Sequence, residues 1–226
     1  MNQPKSGFAK VRALIFDLDG TLIDSKLDLA FAVNAMLEHM GRAQHVHETI
    51  FSFVGNGAET LVRKSLGEGT TDDDTRRGLA YFLSYYRSHM LDNTTLYPGV
   101  IEALDRFRQL AGYSMAVLTN KPVHFSRAII DGLGLSQYFG TVYGGNSFER
   151  KKPDPMGIET LLRDMRASSD EAMMIGDSKV DIQTARNAGI FACGVSYGFD
   201  LEGLQVHPPD VMVDNLAELP ALLGNG

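Results

Sequence analysis

The 226-residue chain has no tryptophan, a single cysteine and fewer cations than anions. A lone Cys193 excludes an internal disulfide, and its place in the apolar run 189–195 reads as a small buried hydrophobe, not a reactive thiol. With 21 Lys and Arg against 28 Asp and Glu, the net charge is −7 and the pI is near 5.3. That balance argues against nucleic acid or an anionic membrane as the main partner, so any anionic ligand must be met by local positive charge. No apolar stretch reaches the ~20 residues that span a bilayer, and residues 1–10 are polar, unlike a signal peptide. A cytoplasmic protein is expected. The histidines show no ligand spacing beyond His45 and His47, which are expected in a solvated polar loop. There is no internal repeat and no low-complexity tract.

What is present describes an ordinary globular chain, 44% hydrophobic and 22% charged, long enough for one sizeable core and a small accessory domain. Apolar runs at 11–16, 113–118, 172–175, 190–195 and 210–213 read as buried strands, with a weaker one at 141–143. Helical patterns alternate with them. Pro98-Gly99 opens a helix expected to bury Ile101, Leu104, Phe107 and Leu110 and to end at Gly112, and further helices are expected at 122–133, 155–166, 179–188 and 215–223. Such alternation predicts right-handed crossovers and a doubly wound parallel sheet, an α/β Rossmann-like core. Residues 25–92 break the pattern. They carry helical spacings (Leu27, Ala30, Phe31, Asn34, Leu37 and Met40, then 58–66 and 79–90) and no strand, too much for one crossover. An inserted, small all-helical cap domain over 25–92 is expected, with 1–24 and 93–226 forming the core. The Asp72-Asp73-Asp74 run reads as a solvated helix start.

Four clusters carry chemistry. The first strand ends in Asp17-Leu18-Asp19-Gly20-Thr21, an acid pair projecting to one side of an extended chain. The second ends in Thr119-Asn120-Lys121-Pro122, whose hydroxyl, amide and ammonium before a helix suit an oxyanion. Lys152, in the basic run 150–152, has its backbone fixed by Pro153 and could neutralise both a carboxylate and a phosphate. The run 172–175 ends in Gly176-Asp177, with Asp181 a helical turn further on. Parallel strands bring their carboxyl ends to one edge, so Asp17, Asp19, Asp177 and Asp181 should converge there. Such a cluster needs a counter-ion, and all-oxygen ligands without nearby His or Cys favour a hard cation, Mg²⁺ best. A metal, a carboxylate nucleophile and an oxyanion cradle together imply phosphoryl transfer through an aspartyl-phosphate.

At these residues the chain resembles the haloacid dehalogenase superfamily of phosphohydrolases over nearly its whole length. Asp17–Thr21, Thr119, Lys152 and the segment 176–181 match that family's four motifs in order. The resemblance implies Asp17 as nucleophile and metal ligand, and Asp19 as general acid/base with its carbonyl on the metal. It implies Thr119 and Lys152 on the phosphoryl group, Asp177 as metal ligand, and Asp181 and Thr21 as supporting residues around them. A carboxylate at position 19 favours a phosphatase over a dehalogenase, since a halide leaving group needs no proton. The insertion resembles the family's small helical cap, with the Gly55-Asn56-Gly57 loop lying over the site. The stretches 53–62, 97–100, 119–122 and 143–147 look like phosphoglycolate phosphatases. This makes a small phosphorylated metabolite the expected partner and 2-phosphoglycolate the expected substrate, with Asn120 also on the phosphate and Arg63 meeting the carboxylate by its planar fork. Sugar, amino-sugar or pyrophosphate hydrolysis, a related phosphomutase and a non-catalytic binding protein on the same scaffold are the alternatives.

Overall fold

The computed structural model describes residues 7–224; the ends of the expected core at 1–6 and 225–226 lie outside them. A buried four-residue strand, β1 (Ala13–Phe16), leads into the acid motif and a two-residue strand, β2 (Ile23–Asp24). Four helices follow: α1 (Lys26–His39), α2 (His47–Phe51), α3 (Ala58–Leu66) and α4 (Asp72–His89). A second two-residue strand, β3 (Thr95–Leu96), pairs antiparallel with β2, so the two chain crossings into and out of the helical segment form one ribbon. The chain then alternates through α5 (Val100–Gln109), β4 (Ser114–Leu118), α6 (Val123–Gly132), β5 (Thr141–Tyr143), α7 (Met156–Met165) and β6 (Ala172–Gly176). It ends with α8 (Lys179–Asn187), β7 (Phe191–Val195), α9 (Leu201–Val206), β8 (Val211–Val213) and α10 (Leu219–Leu222).

The six-stranded sheet has the order β5-β4-β1-β6-β7-β8, and all its pairs are parallel. Alternate residues of each strand feed two cores. Leu14 and Phe16 of β1 pack with Phe107 of α5 and Phe125 of α6, whereas Ala13 and Ile15 pack with Ile158 of α7 and Ile182 of α8. Burial on both faces explains why these strands read as unbroken apolar runs. Strand order reverses around β1, which opens a crevice at the carboxyl ends of β1, β4 and β6. No helix among the described residues is long and apolar enough to cross a membrane.

Several local expectations are corrected. On α1, Leu27 and Phe31 are each 43% exposed, and Leu29, Val33 and Met36 are buried instead. This helix is covered from more than one side, so its apolar face is broader than a single stripe. On α5, Val100 and Ala103 join Leu104 and Phe107 inside, while Ile101 points outward, and the helix ends at Gln109, before Gly112. Helix α4 starts at Asp72, seven residues earlier than its apolar spacing indicated, because Thr71 and Asp74 form a capping box over its first turn. The helix expected at 215–223 is a 3-10 turn, Leu216–Glu218, running into the short α10. His45 is half-buried and its ring bonds the Ser65 carbonyl at 2.8 Å, tying its loop to α3 rather than sitting in solvent.

Candidate active site

The backbone delivers each acid where its strand stops. Asp17 follows β1, and its amide still bonds the Ile175 carbonyl of β6 at 2.9 Å. Asp177 follows β6, and Asp181 lies in the first turn of α8, where it completes a capping box with Ser178. One oxygen from each of Asp17, Asp177 and Asp181 falls within 4.8 Å of the others, and all three residues are buried. Gly20 is held at φ +84°, and a Cβ there would sit 2.2 Å from Asp177 Oδ2, so the turn after the acid pair leaves no room for a side chain.

Lys152 reaches into this cluster from the loop before α7, next to a cis Lys152–Pro153 peptide. Its ammonium is 3.0 Å from Asp17 Oδ1 and 2.6 Å from Asp181 Oδ1, and the residue is only 4% exposed. Burial opposes its charge, but the two carboxylates outweigh that and raise its pKa. Asp181 is thereby spent on Lys152 and on Ser178, whose N–H and hydroxyl both donate to Oδ2. Asp17 Oδ1 takes the Leu18 N–H at 2.7 Å as well as Lys152. Asp17 Oδ2 has no hydrogen-bond donor among the described residues, and Asp17 lines the cavity. Asp177 accepts from Thr21 Oγ1 at 3.2 Å and from the Phe199 N–H at 2.7 Å.

One ammonium cannot balance three buried acids. Burial pushes Asp17 up to about 7 in spite of Lys152, and the Asp181 charge adds to the rise. Asp177 is raised well above the usual carboxylate range by burial and by the Asp181 and Asp17 charges. A hard, oxygen-liganded cation among these residues would remove that strain, so the donor set fits a divalent metal ion.

Asp19 is turned differently. Its carboxylate is held by Lys121 Nζ at 2.8 and 3.1 Å and by the Ser25 hydroxyl. The Lys121 ammonium also lies 4.7 Å from the centre of the Tyr86 ring, which descends from cap helix α4. Thr119, at the end of β4, is buried, and its Oγ1 accepts only the Lys121 N–H at 3.2 Å. The cavity between cap and sheet edge is lined by Asp17, Asp19, Thr119, Lys121 and Asp177 below and by Val54, Asn56, Leu61 and Tyr86 above.

Two expected ligands are engaged elsewhere. Arg63 is paired with Asp72 at 2.8 Å and Glu59 at 3.8 Å on the cap's outer surface and does not line the cavity. Helical spacing placed it two turns from the glycine loop but could not say which side of α3 it leaves. Asn120 lines the cavity, but its side-chain N–H groups go to the Gly55 carbonyl at 3.2 Å and the Lys152 carbonyl at 3.1 Å. What it has left is a buried carbonyl oxygen without a partner, which repels an anion. Asn120 thus ties the cap loop to the core, together with Lys151, which donates to the Asn56 carbonyl at 2.7 Å. The Lys121–Asp19 pair escaped the sequence reading because its members are 102 residues apart.

A doubly wound sheet with acids, a lysine and a hydroxyl gathered at one edge under a helical lid defines an α/β enzyme built to handle an anionic group. The chain matches the haloacid dehalogenase-like hydrolase family over residues 14–195, and it belongs to that family. It is 36% identical over 216 residues to the phosphoglycolate phosphatase of Vibrio parahaemolyticus serotype O3:K6, covering 92% of this chain and 94% of that one. It is likewise 36% identical to the phosphoglycolate phosphatase of Pseudomonas savastanoi pv. phaseolicola, with 95% and 82% covered. A crystal structure described as a predicted phosphoglycolate phosphatase from Haemophilus somnus 129pt superposes with a TM-score of 0.88 at 29% identity, over 94% of this chain and 98% of that one. The enzyme is a phosphatase.

Proposed function

We propose that this phosphatase hydrolyses 2-phosphoglycolate to glycolate and phosphate through an aspartyl-phosphate formed on Asp17. The observation that carries the reading is the asymmetry of Asp17, a cavity-lining residue with one oxygen fixed by Leu18 and Lys152 and the other undonated. Asp17 Oδ2 attacks phosphorus while the ester P–O bond breaks, and Asp19 passes its proton to the departing glycolate oxygen. Asp19, now a carboxylate, takes a proton from water as the water oxygen attacks the phosphorus of the aspartyl-phosphate. Phosphate leaves and the Asp17 carboxylate is restored. Lys152 neutralises charge shared between Asp17 and the phosphoryl oxygens, and the Thr119 hydroxyl is free to donate to one of them. Mg²⁺ held by the Asp17 and Asp177 carboxylates and the Asp19 carbonyl would supply further charge neutralisation. Asp181 and Thr21 keep Lys152 and Asp177 in place.

The substrate assignment draws on the names of the relatives. On this reading residues 25–92 act as a cap that excludes water over a core formed by 1–24 and 93–226.

The test is phosphate release with Mg²⁺ from 2-phosphoglycolate, hexose phosphates, an amino-sugar phosphate and pyrophosphate, with Asp17→Asn alongside. Preference for phosphoglycolate, abolished in the variant, is the expected result. Turnover of other esters with phosphoglycolate ignored would discard the substrate, and release that survives Asp17→Asn would discard the mechanism.

A further inference from the structure

With Arg63 on the outer surface, the substrate's second charge needs another partner. Among the described residues lining the cavity there is no arginine; its cations are Lys179, which is exposed, and Lys121, whose residue is 7% exposed. An ammonium has three N–H donors. Those of Lys121 reach Asp19 through contacts of 2.8 and 3.1 Å, and the Tyr86 hydroxyl oxygen is the next group the ammonium faces.

The Tyr86 hydroxyl supplies the second observation. Tyr86 is 1% exposed, its ring is fixed between Phe82 and Phe125, and its hydroxyl proton, turned away from the Lys121 ammonium, has no acceptor within hydrogen-bond distance. A buried hydroxyl proton without an acceptor is costly, and this one belongs to a residue that lines the cavity beside Lys121. The cap thus presents an O–H and the core an N–H around one spot, walled by the apolar side chains of Val54, Leu61 and Phe82.

We propose that Lys121 and Tyr86 form the specificity subsite of this enzyme, binding a carboxylate carried one carbon away from the ester oxygen. The inference rests on the proposed function, because it takes Asp19 as the group that meets the ester oxygen. An ester oxygen hydrogen-bonded to Asp19 lies next to the Lys121 ammonium, so a carboxylate one carbon further on is within that ammonium's reach. A neutral leaving group would leave the Tyr86 hydroxyl proton without an acceptor and would gain nothing from the Lys121 ammonium beside it. The subsite is divided between the core and cap helix α4, so the carboxylate would also bridge the two.

The experiment compares 2-phosphoglycolate with ethyl phosphate, the ester with a methyl group in place of the carboxylate, in wild type, Lys121→Met and Tyr86→Phe. The readout is the ratio of the two kcat/KM values, which cancels general damage to Asp19 or to folding. The ratio should fall by about tenfold or more in Lys121→Met and by roughly threefold to tenfold in Tyr86→Phe, carried mainly by KM for phosphoglycolate. Ratios within about twofold of wild type in both variants would overturn the subsite, since that is too small for one lost charge-assisted bond. A second measurement separates this result from failure of the substrate reading. Glycolate is tested as an inhibitor of p-nitrophenyl phosphate hydrolysis, which needs no particular leaving group. Inhibition that weakens in both variants supports the subsite even if phosphoglycolate is a poor substrate, and inhibition equal in all three proteins overturns it. Because Tyr86→Phe removes a single oxygen, it remains informative if Lys121→Met fails to fold.

Discussion

Asp28 and Thr94 clamp the two chain crossings between cap and core: Asp28 Oδ2 accepts from both the backbone N–H and the hydroxyl of Thr94, at 2.8 and 2.7 Å. The same carboxylate takes the Asn93 N–H and side-chain amide, so one buried acid in the first turn of α1 serves two consecutive residues of the returning strand. Asp28→Ala strands these donors in a buried site and should cost about 1–3 kcal/mol or more in urea denaturation. The exposed Asp73→Ala, with a single surface ion pair to Arg76, should stay within about 0.5 kcal/mol.

The role proposed for Asp19 separates the two halves of the reaction. Asp19→Asn should lower kcat on an alkyl phosphate by about 10²–10⁴. With p-nitrophenyl phosphate, whose leaving group needs no proton, the first half should survive and the second stall. Rapid mixing should then show a burst approaching one nitrophenolate per enzyme, followed by slow turnover. Slow release from the first turnover would mean that Asp19 is needed for more than proton transfer.

Mg²⁺ should stabilise the protein, and the gain should grow with pH. In the metal-free protein the Asp17 pKa is about 7, above that of the unfolded chain, so folding favours its protonated form. That contribution is complete below about pH 4 and is lost as pH rises through 7, leaving clustered charges that repel. Thermal melts with chelator should therefore fall between pH 5.5 and 8, by roughly a few degrees, and added Mg²⁺ should close the gap. Parallel melting curves with and without Mg²⁺ across that range would refute it.

Gly20→Ala tests how tightly the sheet edge is packed. The new methyl group would meet the Asp177 carboxylate at 2.2–2.8 Å, on a backbone already at φ +84°. Destabilisation of about 1–3 kcal/mol is expected, together with weaker Mg²⁺ binding measured by titration calorimetry.

The parts of the site that sequence exposed are those written by local pattern. Asp17 and Asp177 each end a continuous apolar run, so strand and acid are legible together, and parallel pairing then forces them to one edge. The parts it hid depend on direction or distance. Arg63 and Leu61 lie on one helix, yet only the packing of α3 shows that Leu61 faces the cavity and Arg63 faces Asp72. Asn120 read as an anion ligand because its neighbours do; its amide is instead consumed by carbonyls from residues 55 and 152. The β2–β3 ribbon, two residues per strand, is too short to leave a periodic signal, although it joins the two chain crossings.

That ribbon has a consequence for how such enzymes diversify. The chain leaves the core at Asp24 and returns at Thr95, and these two residues are paired neighbours. With Ser25 kept to hold Asp19, the segment between them can be exchanged like a cassette whose two ends meet at a single seam. Lengthening, shortening or recombining it need not shift Asp17, Asp177 or Asp181, whose hydrogen bonds come from outside it. A lineage can therefore try out new leaving groups by splicing at one place, while the phosphoryl chemistry is inherited intact.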